Sequence, residues 1–399
     1  MDNGVNKKNI DKFNLKEVIG LLVVVAVVSL ITGFAVSNRF LKDKNKNMTN
    51  NTSLNSFIEN YNYIVNNYYG ELDENKLLDS ALKGVLEAIG DPYTVYMDET
   101  EVNNFNIKLE GSYQGLGVEV FVNKNNNLEI LTVLKNSPAE SSGLKSGDII
   151  TKLNGESVSD SQNFAQKIKG KKQIKLTIKR DDEVFEVELT KGTIILDSVF
   201  HKVFERNGNN IGYLGISIFA NNTDEQVKVA LEALEESKID SLIIDVRGNT
   251  GGHLTSVENI LSLFLDSSHI IYKIEDDKGI QTIYSKGKKT KEYPIVILTN
   301  EASASASEIL TATLKEEYGA KSVGTRTYGK GTAQELKTLP DGTQYKITTK
   351  RWLTPKGNSI ADSGISADFN IEFDVSYYNE PIDENDNQLQ KAISVILGL

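Results

Sequence analysis

The sequence predicts a multidomain α/β protein with an N-terminal helical region, a compact unit of short strands and helices, and a core built on a parallel sheet. Three observations lead there. At 399 residues the chain exceeds one simple domain. Apolar residues recur at helical spacing across 53–105, then give way to short strands and glycine turns from Gly111. Beyond Gly192, strand-like and helix-like segments alternate, as in parallel strands joined by helical crossovers.

Composition narrows the function. Hydrophobic residues make up 39% and charged residues 25%, enough apolar material for a buried core. The formal net charge is −11, which argues against a nucleic-acid partner. There is no cysteine, so disulfides, thiolate catalysis and Cys-ligated zinc are excluded. The only histidines are His201, His253 and His269, without the H-E-x-x-H spacing of a zinc peptidase. No metal or other cofactor is expected.

The elements follow in order. Residues 1–17 form a short stub. Residues 18–38 carry no charge and are almost wholly aliphatic from Leu21 to Ile31. About 20 apolar residues suffice to span a bilayer, so this run is expected to be a single-pass anchor. Cleavage near Ala35-Val36-Ser37 would instead make it a signal peptide and the protein secreted. Lysines flank both ends of the run, so the positive-inside rule is nearly balanced. We place the stub in the cytoplasm and the folded part outside it. Residues 39–52 read as a polar tether.

In the helical region, 53–105, Phe57, Tyr61, Ile64 and Tyr68 share one helical face, and Leu78, Leu82, Val85, Leu86 and Ile89 another. Gly90-Asp91-Pro92 ends the second helix. In the unit 106–190, Asn136 to Glu140 opens a short helix and Asn154-Gly155 marks a hairpin turn. In the core, 191–370, Gly212–Ile218, Leu242–Val246 and Ile295–Leu298 are expected strands. Thr223-x-x-Gln226 reads as a capping box for a helix through Ser237. Further helices are expected around Val257–Phe264 and from Ser305 to Tyr318. The tail, 371–399, has Leu389, Ile393 and Ile396 at roughly helical spacing, suited to packing on the core or on a second subunit.

Three segments carry candidate chemistry. Ser303-Ala304-Ser305-Ala306-Ser307-Glu308 lies where a strand should turn into a helix. A serine there meets free amides and the positive end of the helix dipole, which suits an oxyanion, although serine is also a common N-cap. Gly329-Lys330-Gly331 places a lysine where backbones can approach closely. Burial could bring its amine down from ~10.4 far enough to accept a serine proton, whereas a solvated lysine could not. Asp245-Val246-Arg247-Gly248-Asn249-Thr250-Gly251-Gly252 opens a glycine-rich turn that could present amide donors. Ser80-x-x-Lys83 and Ser142-x-x-Lys145 imitate a penicillin-binding motif, but its Ser-Asp-Asn and Lys-Thr-Gly partners are missing. His253 has no G-x-S-x-G partner and reads as a loop histidine.

Together, Ser303–Glu308, Gly329-Lys330-Gly331-x-x-Gln334 and the Asp-x-Arg-x-Asn-x-Gly-Gly run resemble the carboxy-terminal processing, or tail-specific, serine peptidases. The 25 residues from Ser305 to Lys330 fit that family's spacing and select the middle serine. Gly90-Asp91-Pro92-Tyr93-Thr94, Leu339-Pro340-Asp341-Gly342 and Thr354-Pro355-x-Gly357 also match, so the resemblance covers roughly 55–370. Glu301-Ala302 and Ala367 depart from the usual pattern.

The resemblance implies an α/β core of the ClpP/crotonase-like type, an inserted PDZ domain at 106–190 and an N-terminal helical region. It implies Ser305 as nucleophile, Lys330 as general base and Gln334 as an orienting group. Amides of Ala306 and Gly252 would hold the oxyanion, with Gly251 shaping the turn. Gly115-Leu116-Gly117-Val118 would bind a substrate carboxylate. The expected activity is endoproteolysis of protein or peptide substrates with accessible C-termini, near those C-termini. The alternative is a membrane-tethered PDZ module on an inactive scaffold. Homodimerisation is left open.

Overall fold

The computed structural model describes residues 52–340 and 342–399. The expected stub and anchor, and the tether apart from its last residue, lie outside the described residues, as does Asp341 of the Leu339–Gly342 motif. No described helix is long and apolar enough to cross a membrane.

The chain divides into two compact units at Ala81/Leu82. The first contains the helix Thr52–Asn67, and the helix Glu74–Glu87 runs across the division.

The second unit is organised by a six-stranded sheet. Its order is Val199–Arg206, Asn209–Ile216, Ser241–Asp245, Ile295–Thr299, Lys321–Gly324, Phe369–Asn370. The first pair is antiparallel and every later pair parallel. Side chains alternate between the two faces of a strand, and both faces are covered here. Ile295 and Ile297 join one cluster, with Val257, Ile260, Leu261 and Phe264 of helix Leu254–Phe264. Val296 and Leu298 join another, with Leu389, Ala392 and Ile393 of helix Asn387–Ile396. That is why Ile295–Leu298 is apolar at every position. It also places the C-terminal tail on the core sheet, where Asp386 caps its helix by accepting from Leu389 N at 2.9 Å.

A second sheet contains Val95–Met97, Gln344–Leu353, Ile270–Asp276 and Gly279–Tyr284, with Thr332–Thr338 paired to Gln344–Leu353. The inserted unit has its own antiparallel sheet over Val118–Thr190 and its own core, including Leu128, Ile130, Leu153, Phe164, Leu176 and Ile178. Ser112–Gly115 pairs with Gly192–Ile195, so the insert enters and leaves through one two-stranded neck.

The Thr223-x-x-Gln226 capping box does not form. Asn222 is the N-cap and makes no side-chain cap bond. Gln226 instead accepts from Ser198 N at 2.9 Å and donates to Leu196 O at 3.1 Å, tying the helix to the neighbouring chain. Thr223 Oγ1 accepts from Ala220 N at 2.9 Å. Tertiary partners here outcompete the local box. A box does form at Asp98 and Glu101, which opens helix Glu99–Glu110.

Candidate active site

The parallel strands deliver two loops to one edge of the sheet, where ligands bind in open α/β folds. Strand Ser241–Asp245 leads into the glycine-rich turn and strand Ile295–Thr299 into the Ser/Ala turn. Asn249 is fully buried and joins them. Its Oδ1 accepts from Gly251 N at 2.9 Å. Its carbonyl accepts from Ala304 N at 3.0 Å and from Ser307 Oγ at 2.8 Å.

Both glycines are sterically required. Gly251 has φ +102°, and a Cβ there would lie 2.8 Å from both Ala304 O and Ser305 Cβ. Gly252 has φ +148°, and a Cβ would lie 2.1 Å from Phe219 O. Among the described residues, neither Gly252 N–H nor Ala306 N–H donates a hydrogen bond. The Gly251 amide is engaged by Asn249 and serves the turn itself.

Ser305 precedes helix Ala306–Thr313 with φ 55° and ψ −113°. Such a conformation costs a non-glycine residue about 1–3 kcal/mol and persists only where the surroundings impose it. The imposing group is Glu308, fully buried one turn along. One of its oxygens accepts from Ser305 N at 2.8 Å and Lys330 N at 2.9 Å. The other accepts from Gly329 N at 2.7 Å and Thr327 Oγ1 at 2.6 Å. One carboxylate thus fixes the backbones of both Ser305 and Lys330. Trp352 Nε1 adds a bond to Lys330 O at 2.8 Å.

Ser305, Lys330, Gln334, Gly251 and Gly252 line a single cavity of about 820 Å³, within the usual range for ligand sites. Lys330 is half-buried, with Nζ 4.7 Å from the Tyr93 ring centroid. Burial, with the nearby Lys346 charge, lowers its pKa to about 8 against the attraction of Asp91 and Glu308. Ser305 and Lys330 share the cavity, and no hydrogen bond joins Ser305 Oγ to Lys330 Nζ among the described residues. Gln334 Nε2 donates to Thr332 Oγ1 at 3.0 Å and Thr348 Oγ1 at 3.1 Å rather than contacting Lys330.

The remaining candidates lie elsewhere. Gly115 sits at the neck and Val118 opens the first strand of the insert. Between them, Leu116 is buried and Gly117 has φ +80°, where a Cβ would meet Ser137 Cβ at 2.2 Å. Ser80 Oγ donates to Lys76 O and Ser142 Oγ to Pro138 O, so both decoy hydroxyls are spent on helix backbone. Among the described residues no cluster of acidic or imidazole groups could hold a metal. Sequence reasoning named Tyr93 only as part of the Gly90–Thr94 motif, without the contact it makes with Lys330, and it missed Lys346, a second cation in the cavity wall. It also set aside His253, which lines the cavity with Nε2 buried and unpartnered. Only the Gly252–His253 adjacency could have signalled it.

The comparisons agree with this architecture. The model for peptidase family S41 matches residues 210–371, that for the PDZ domain 114–190, and that for the activating protease CtpB N-terminal domain 21–101. The carboxy-terminal processing protease CtpB of Bacillus subtilis (strain 168) is 36% identical over 355 residues, covering 85% of this chain and 74% of that protein. The carboxy-terminal processing protease CtpA of the same organism is 32% identical over 367 residues, covering 90% and 78%. A solved structure from Bacteroides fragilis NCTC 9343, assigned to the S41 proteases, superposes with TM-score 0.51 at 17% identity. It covers 83% of this chain and 92% of that one, and at this identity it supports the fold alone. Sequence kinship and architecture lead to one conclusion: the chain belongs to peptidase family S41, as a serine-type carboxy-terminal processing protease.

Proposed function

We propose that Ser305 and Lys330 form the catalytic dyad of an endopeptidase that cuts protein substrates near their C-termini. The observation that carries this reading is the shared Glu308 clamp, which fixes both backbones at one cavity where the lysine amine is shifted toward neutrality. In the neutral form, Lys330 takes the proton of Ser305 Oγ as that oxygen attacks the scissile carbonyl carbon. The Gly252 and Ala306 amides stabilise the oxyanion of the tetrahedral intermediate. The C–N bond then breaks, and the Lys330 ammonium returns its proton to the leaving amine. In the second half Lys330 takes a proton from water as its oxygen attacks the acyl carbon; the C–Oγ bond breaks, and Ser305 Oγ recovers that proton from Lys330. Gln334, anchored by Thr332 and Thr348, orients substrate along the cavity wall. Catalytic contacts in apoenzymes are often long and tighten on binding, so the absence of a Ser305–Lys330 hydrogen bond here is compatible with the dyad.

The PDZ domain captures the substrate C-terminus at Gly115–Val118, and residues 18–38 anchor the protein in the cell membrane with its catalytic part outside the cytoplasm. The motif pattern and the uncharged apolar run support these assignments. Alkaline extraction of membranes tests the anchor: recovery of a shortened protein in the medium would favour secretion instead.

The Lys330 ammonium resting on Tyr93 supports a second reading, a PDZ binding module on an inactive scaffold. Turnover of an unstructured, internally quenched peptide by the full-length protein separates the two. Activity abolished by Ser305→Ala and by Lys330→Met supports the dyad, and activity surviving both refutes it. No turnover of any peptide by the parent would promote the scaffold.

A further inference from the structure

Lys346 has no assigned role, yet it stands in the wall of the catalytic cavity. It lies on strand Gln344–Leu353, opposite Leu336 on one neighbour and Val95 on the other. Its Nζ is 5.3 Å from the Phe105 ring centroid. Among the described residues this half-buried ammonium forms no salt bridge and donates no hydrogen bond. Lys350, on the same strand, behaves differently and pairs with Glu335 at 2.8 Å. Asp91 attracts Lys346 without forming a salt bridge with it, its oxygens accepting from Thr94 Oγ1 at 2.6 Å and Tyr93 N at 3.0 Å. Burial accordingly lowers the pKa of the Lys346 amine.

The cavity wall reinforces the contrast. Its charged side chains are Lys108, Lys330, Lys346 and Glu301, and Glu301 already accepts from Thr325 Oγ1 at 3.1 Å. A protein of net charge −11 thus lines its catalytic cavity with more cations than anions. The surrounding wall is apolar, including Ile218, Leu254 and Trp352. A partly desolvated cation with no acid paired directly to it is costly unless a ligand supplies the anion, and low polarity strengthens that pairing.

We propose that Lys346 is a specificity-determining residue that receives a carboxylate of the peptide substrate beside the scissile bond. The carboxylate is an Asp or Glu side chain, or else the substrate's own C-terminal group a few residues beyond the cut, in which case Lys346 rather than the PDZ loop holds the terminus during cleavage. The inference rests on the Ser305–Lys330 reading, since it takes that cavity as the site of cleavage.

The test uses the full-length protein and matched peptides around one cleavable sequence. One arm compares Asp or Glu with Asn or Gln at each position flanking the cut, with the C-terminus amidated. The other compares a free with an amidated C-terminus one to three residues beyond the cut. The readout is the ratio of kcat/KM for acidic over neutral peptides within each enzyme, so that any shared effect on Lys330 cancels. A charged hydrogen bond predicts a ratio of roughly tenfold to hundredfold in the parent. That ratio should fall to near one in Lys346→Met and be largely kept in Lys346→Arg. The arm showing the preference identifies the source of the carboxylate. An absent preference in the parent, or one that survives Lys346→Met, overturns the proposal. Affinity of fluorescent acidic and neutral peptides for Ser305→Ala, with and without Lys346→Met, tests the same discrimination without turnover. A parent that cleaves no peptide, or cleavage that survives Ser305→Ala, would instead count against the dyad.

Discussion

Glu308→Gln tests the clamp with minimal change of shape. The carboxylate serves four donors, and three of them, Ser305 N, Gly329 N and Lys330 N, are backbone amides that cannot reverse. A glutamine must turn its NH2 group toward one pair. Facing Ser305 and Lys330, it orphans two partly buried amides. Facing Thr327 and Gly329, it orphans one, because the threonine hydroxyl can accept instead. The second orientation is cheaper and costs about 1–3 kcal/mol for the unsatisfied Gly329 amide. That strain sits one residue from Lys330, and a displacement of about 1 Å at a catalytic group costs on the order of a hundredfold in rate. We therefore expect kcat to fall about a hundredfold with KM nearly unchanged, as for lost positioning rather than lost binding. Amide exchange at residues 325–333 should quicken by roughly tenfold to hundredfold, the local counterpart of that cost. Unchanged kcat together with unchanged exchange at these residues would refute the clamp.

Three further outcomes follow. Activity should rise with pH through about 8, because burial depresses the Lys330 pKa to that value and only its neutral form can act as a base; a pH–kcat/KM profile flat from pH 7 to 9 would contradict this. Gly251→Ala should cost at least about a hundredfold in kcat/KM, since the new Cβ meets the backbone oxygen of Ala304 and the Cβ of Ser305 at 2.8 Å, and the substitution would also be strained at φ +102°; wild-type kinetics would show that the turn is not rigid. His253→Ala should keep kcat/KM within about tenfold, the loss of one neutral contact, because no hydrogen bond joins its ring to Ser305; near-complete loss would make histidine rather than Lys330 the base.

Elements whose signal is local were legible in the sequence. The strands around Leu242–Ile244 and Ile295–Leu298 read as apolar runs because both sheet faces are buried. The helix at Val257–Phe264 announced itself through its buried stripe. Signals that depend on distant partners were not legible. Gln226 looked like half of a capping box but bonds to Ser198 and Leu196 across the chain. Lys346 is an ordinary residue in sequence, Tyr93 is one letter of the Gly90–Thr94 motif, and both gain their roles from which segments meet at the cavity. The Ser305–Lys330 spacing was visible, whereas the carboxylate that ties the pair together was visible only as the last letter of the Ser/Ala turn.

The Asp-x-Arg-x-Asn-x-Gly-Gly run shows why motif and mechanism are not coextensive. Read as one unit it suggests an oxyanion loop, but its two halves face different tasks. Asn249, Gly251 and Gly252 serve the cavity through Ala304, Ser305 and Ser307. Asp245 and Arg247 face the C-terminal tail. Arg247 Nη2 lies 2.7 Å from both Asp245 Oδ2 and Asp386 Oδ2, and its Nη1 reaches Gln388 Oε1 at 3.0 Å. Tyr213 OH donates to the same Asp245 oxygen at 2.7 Å. Such a buried network is costly to break from one side, because removing one partner leaves an uncompensated charge, typically about 3–5 kcal/mol. Asp386 is at once the cap of the tail helix and a partner of Arg247, two residues before Asn249. The tail is thereby joined by two side-chain links, Arg247–Asp386 and Arg247–Gln388, to the base of the glycine turn. Loss of the tail would leave Arg247 with only Asp245, at the start of the loop that must hold Gly251 against Ser305.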